Sequence, residues 1–86
     1  MNKFQVLIEE LILFLEKSNE SMYADRTPKE LINDLKSCIQ GNEIDTKKLK
    51  FITLPTNSLQ DTLIDNGFGN QFCDLANKIE YLLKSK

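Results

Sequence analysis

The chain has no histidine and no tryptophan, and only one arginine, two prolines and three glycines among its 86 residues. Without imidazole, the usual general base near neutral pH and the commonest metal ligand are both missing. A serine or cysteine nucleophile has no histidine to activate it. Cys38 and Cys73 form no CxxC pair, and no histidine is present to complete a zinc site around them. Carboxylates are plentiful, yet nothing in their spacing brings two of them into one cleft. We therefore expect no catalytic residues, no metal and no cofactor, and the weight of expectation moves from catalysis to binding. Arg26, the single arginine, leaves bidentate recognition of phosphate or guanine with little to work with.

Long apolar runs are also scarce. No segment approaches the length of a membrane-spanning helix. The stretch from Met1 to Leu15 is apolar, but Glu9 and Glu10 interrupt it and no small-residue cleavage site follows. These features suit a cytosolic protein with reduced thiols and no membrane partner. The loop-like run Asp65-Asn66-Gly67-Phe68-Gly69-Asn70 has neither EF-hand spacing nor a phosphate- or dinucleotide-binding fingerprint, and reads as a corner between helices.

What is present is one domain's worth of chain, residues 1–86, with 41% hydrophobic and 28% charged residues. The formal net charge is −2. Acids outnumber bases over residues 1–45, whereas Lys47, Lys48 and Lys50 form a short basic cluster. An acidic half is suited to a basic partner, or is simply a solvated surface.

Helical periodicity dominates the chain. Phe4, Leu7, Ile8, Leu11 and Leu15 share one face of a helix spanning Asn2 to about Ser18, widened by Ile12 and Phe14. Val6 and Leu13 fall on the opposite, polar face among Glu9, Glu10, Glu16 and Lys17. Such a pair fits a helix packed on more than one side, isolated exposed residues, or a contact surface. Residues 19–27 form a polar connection with Met22 and Tyr23. Thr27-Pro28-Lys29-Glu30 is a capping box with proline at the first helical position. The helix it opens carries Leu31, Ile32, Leu35, Cys38 and Ile39 on one face and ends at Gly41. Cys38 is thus a small core residue. Asp45 is placed to cap a short helical turn from Lys47 to Phe51. Lys48-Leu49-Lys50-Phe51 also alternates like a strand, but no other segment offers it a partner. A short helical turn followed by an extended stretch up to Pro55 is favoured. Pro55-Thr56-Asn57-Ser58 opens a further helix, with Asn57 and Gln60 as a cap pair, Leu59 and Leu63 facing inward, and Asn66-Gly67 as its stop. The last helix runs from about Asn70 to Leu83, with Tyr81 opposite its apolar face and residues 84–86 fraying.

The resulting fold class is all-α, a compact bundle of four short helices, or five if the Lys47–Phe51 turn forms. The corner at Asn66–Gly69 admits a helix-turn-helix, with Asn70 and Gln71 opening the second helix. That helix has only Lys78 as a base before its C-terminal end, so nucleic acid is a poor partner.

Being short, acidic, non-catalytic and without a signal segment, the chain resembles the small single-domain bacterial immunity proteins that neutralise a cognate toxin. The Pro55-Thr56-Asn57-Ser58-Leu59-Gln60 and Asn66-Gly67-Phe68-Gly69 stretches have the look of a family signature. The resemblance implies a protein partner, such as a basic toxin domain, met by an acidic surface. Candidate partner-binding residues are Glu9, Glu16, Glu20, Asp25 and Tyr23, with Val6 and Leu13 as apolar anchors and Tyr81 as an exposed aromatic. The alternative is a regulator or assembly adaptor that forms a homodimer through Val6 and Leu13.

Overall fold

Helix α1 (Lys3–Glu16) begins where Asn2 turns its side chain inward to accept a hydrogen bond from the Phe4 amide at 2.8 Å. The computed structural model describes residues 2–54 and 57–85. Phe4, Leu7, Ile8, Leu11 and Leu15 are all buried, so the spacing seen in the sequence is the face that enters the core. Helix α2 (Pro28–Ser37) starts at the capping box. Thr27 Oγ1 accepts from the Glu30 amide at 3.2 Å, and Glu30 Oε1 accepts from the Thr27 amide at 3.0 Å. The carboxyl of Glu30 is held below its ordinary value of 4.5, first by the backbone hydrogen bond from Thr27 and then by its hydroxyl.

The chain departs from an all-α bundle after α2. The helix stops at Ser37, with Cys38 as its cap, and does not run on to Gly41. Ile39–Gln40 (β1) and Glu43–Ile44 (β2) instead form a small antiparallel ribbon, pairing Ile39 with Ile44 and Gln40 with Glu43. Gly41, at φ +63°, takes the first position of the two-residue turn, where a left-handed backbone suits a hairpin. Gly41 thus reverses a ribbon and does not close a helix. The Asp45 amide then donates to the Cys38 carbonyl at 2.8 Å, extending the closure by one step.

Asp45 caps α3 (Thr46–Ile52) by accepting from the Lys48 amide at 3.1 Å. The fifth helix is therefore real, and it buries Leu49 and Ile52. The expected extended stretch before Pro55 is a turn and bend at Thr53 and Leu54, while Pro55 and Thr56 lie outside the described residues. Helix α4 (Ser58–Asp65) is entered from Asn57, but the expected cap pair with Gln60 does not form. Asn57 Nδ2 donates instead to the carbonyl of Phe51, tying α4 back to α3. Gly67, at φ +83°, ends α4. Its amide donates to Ile64 O at 3.0 Å and the Phe68 amide to Leu63 O at 2.7 Å, the paired bonds of a Schellman stop. Phe68 then packs on Phe14, with ring centroids 5.1 Å apart. Helix α5 (Gly69–Lys84) follows, burying Phe72, Leu75 and Ile79. The fraying expected from residue 84 begins no earlier than Ser85, the cap of this helix; Lys86 lies outside the described residues.

One apolar cluster joins the helices. Helix α1 packs against α2 and α5, and α4 packs against α5 and α2. Within it, the Thr62 hydroxyl is fully buried and has no hydrogen-bond partner. A buried unpaired hydroxyl costs more than it returns. Thr62→Val should raise stability by about 1 kcal/mol, moving the thermal midpoint up by roughly 4–8 °C in a domain this small. Thr27→Ala should lower stability by about 1 kcal/mol in chemical denaturation at neutral pH. The same change should raise the Glu30 carboxyl back towards 4.5, a shift readable by NMR titration. Because the folded value lies below the unfolded one, the box contributes above about 4.5 and fades as acid protonates Glu30.

Candidate functional site

Phe14 meets Phe68 at one end of the α1–α5 pair, while Val6 and Leu7 face Tyr81 and Leu82 at the other. The two terminal helices therefore run antiparallel. Between them lies an open groove of about 510 Å³, floored by Val6, Leu7, Tyr81 and Leu82 and rimmed by Lys3, Asp74 and Lys78. Val6 is 41% exposed and Tyr81 is 72% exposed, so two residues from opposite ends of the sequence form one apolar surface. Lys78 and Asp74 are joined across one turn of α5 at 3.1 Å.

Glu9, Leu13 and Glu16 continue from this groove along the outer face of α1. All three are exposed, Leu13 by 56%, which fits the polar-face position of Val6 and Leu13. Glu9, Glu10 and Glu16 make no ion pair among the described residues.

Glu20, Tyr23 and Asp25 lie elsewhere, in the 17–27 connection at the far end of α1. They are exposed, but the groove does not include them. The connection is fastened to α4 at two points. Asn66 Oδ1 accepts from the Asn19 amide at 2.9 Å, and Asn66 Nδ2 donates to the Asn19 carbonyl at 2.9 Å and to Thr62 O at 2.8 Å. Ser58 Oγ accepts from the Asp25 amide at 3.1 Å. The eight sequence candidates thus divide into a groove pair (Val6 and Tyr81), a helix face (Glu9, Leu13 and Glu16) and a tethered loop (Glu20, Tyr23 and Asp25). Leu7, Asp74 and Leu82 belong to the groove and were not among the candidates. Their signal is weak, because Leu7 and Leu82 sit on the core stripe and only the pairing of α1 with α5 brings their edges together.

Arg26 is already engaged. Its guanidinium makes a two-point contact with Asp34, at 2.8 and 3.1 Å. The would-be recognition helix α5 displays Asn70 and Gln71 but pairs Lys78 with Asp74 and Lys84 with Glu80. Neither arrangement leaves a basic face for a nucleic acid on that helix. Cys38 is fully buried, and burial pushes its thiol up, with Asp45 and Asp34 adding to the rise against Lys48. Cys73 is exposed. Among the described residues no group of three or more histidine, cysteine or carboxylate side chains is arranged to hold a metal, and no helix is long and apolar enough to cross a membrane.

Comparison with protein-family models, curated proteins and solved structures returns no match.

Removing the Asn66 side chain tests the loop tether. Asn66→Ala should cost about 1–2 kcal/mol, the worth of a few partly exposed hydrogen bonds. Hydrogen exchange at the Asn19 amide should speed up, and protease cleavage near Met22 and Tyr23 should increase.

Proposed function

We propose that this chain is a protein-binding module whose working surface is the α1–α5 groove together with the outer face of α1. The single observation that carries this reading is the meeting of Val6 and Tyr81 in one exposed apolar groove, beside a helix face whose Glu9, Glu10 and Glu16 have no ion-pair partner among the described residues. Exposed apolar surface rimmed by charge is the common form of an interaction site. An aromatic in such a groove is a natural hot spot, and the unpaired carboxylates favour a positively charged partner.

The partner class that fits is a basic protein domain. A small bacterial immunity protein that binds and neutralises a cognate toxin is the concrete form of this proposal. Inhibition by such a module needs no catalytic group, only a surface that covers the toxin's basic substrate-binding face. Long-range attraction between the acidic face and a basic partner raises the association rate, and salt weakens it.

The test begins with capture of the tagged protein from its native host, with the product of the neighbouring gene included as a purified candidate. Charge reversal at Glu9, Glu10 and Glu16 should slow association with a basic partner by about tenfold or more at low salt, with a smaller effect at high salt. Tyr81→Ala should act mainly on dissociation. An affinity unchanged by both sets of substitutions would refute this surface assignment.

A further inference from the structure

The molecule also exposes an aromatic side chain outside the groove. Phe51, on α3, is 63% exposed although it belongs to a helix whose Leu49 and Ile52 are buried. Lys47 and Lys48 stand four and three residues before it, on the same side of α3, and Lys50 is its neighbour. Lys47 and Lys50 make no ion pair among the described residues, and Lys48 donates to the hydroxyl of Ser37. The groove side carries both signs of charge, with the acids in excess on α1. Val6 is followed three and four residues later by Glu9 and Glu10, both exposed and unpaired. One surface is thus an aromatic knob among lysines, and the other an apolar groove with Glu9 and Glu10 further along α1, Lys3 on its rim and Lys78 already paired with Asp74.

The two cannot meet within one molecule. Helix α3 packs near α5 on the flank that carries Cys73, Ala76 and Leu83, where Lys50 and Leu54 line a second depression. The α1–α5 groove opens on the other flank, at Asp74, Lys78 and Tyr81. The ridge of α5 separates them. A volume of about 510 Å³ is ample for one phenyl ring with part of its helix.

We infer that Phe51 of one molecule seats in the α1–α5 groove of a second copy, with its flanking lysines against Glu9 and Glu10. The inference rests on the groove being an interaction surface, as proposed above. The two contacting surfaces differ, so the contact is head-to-tail and leaves a free knob and a free groove at the ends of any assembly that does not close into a ring. A basic partner that enters the groove competes with the next copy, so self-association and partner binding exclude each other at this site. The symmetric dimer through Val6 and Leu13 is a different arrangement, because it does not use Phe51.

Sedimentation equilibrium of the full chain at low and high salt reads the contact. The wild type should show a weight-average mass above the monomer that rises with concentration and falls with added salt. Phe51→Ser and Val6→Asp both change exposed side chains, and each variant alone should be monomeric, with self-association weakened by about tenfold or more, as expected for losing one buried aromatic contact or placing a charge in its pocket. Circular dichroism confirms that each variant is folded. Mixed together, the two should form a dimer and nothing larger, since one supplies the only intact groove and the other the only intact knob. A wild type that stays monomeric at millimolar concentration overturns the inference. Assembly that survives Phe51→Ser but not Val6→Asp also overturns it, in favour of two grooves facing each other. Failure of the partner proposal is separate, because the monomeric Phe51→Ser variant keeps the groove open for titration with a purified basic partner.

Discussion

The structure depends on one demand: the apolar stripe of α1 must be covered. Phe4, Leu7, Ile8, Leu11 and Leu15 occupy about three turns of helix, and a chain of this length has little other surface with which to bury them. Helix α2 and helix α5 flank the stripe, and α4 closes against both. The stops and turns serve that enclosure. The Schellman stop at Gly67 reverses the chain so that α5 returns antiparallel to α1, and Phe68 seals the corner against Phe14. The groove at the other end is a by-product of the same geometry. There the space between α1 and α5 is lined by Val6 and Tyr81.

Much of this was legible in the residues. Each long helix announced itself through three-to-four spacing, and the buried set in α1 matches the periodic set residue for residue. The Thr27–Glu30 box and the Asp45 cap were readable because capping depends on side chains only three residues apart. The ribbon at Ile39–Ile44 was not readable in the same way. Cys38 and Ile39 continue the helical stripe of α2, so periodicity argued for more helix. The competing signal was the Gly41-Asn42 pair, which suits a hairpin turn, and the two strands are too short for alternation to show. Asn57 illustrates another limit. Its local pattern promised a cap, but a tertiary partner, the Phe51 carbonyl, took its side chain.

The candidate surface was only partly visible for a related reason. Exposure of Val6, Leu13 and Tyr81 follows from each helix taken alone, so periodicity was enough to single them out. Which of them lie together is a property of packing between elements far apart in sequence. Val6 and Tyr81 converge because α1 and α5 are antiparallel neighbours. Tyr23 and Asp25 diverge because the connection carrying Asp25 is pinned to α4 at Ser58. Phe51 escaped attention because an aromatic beside Leu49 and Ile52 looks like core until the short helix shows which side it presents.

The tether between Asn19 and Asn66 spans 47 positions of sequence, and that span sets when it can form. Joining points so far apart carries a loop-closure cost that no local hydrogen bond repays in advance. The corner at Asn66 must already be built, and α4 already seated, before Asn19 has anything to grip. The polar connection is thus among the last pieces to lock during folding and among the first to open in the native state, since it is held by hydrogen bonds near the surface with little apolar burial behind them. Met22 and Tyr23 ride on that segment. They are held differently from the groove between α1 and α5, which is anchored by Leu7 of the core.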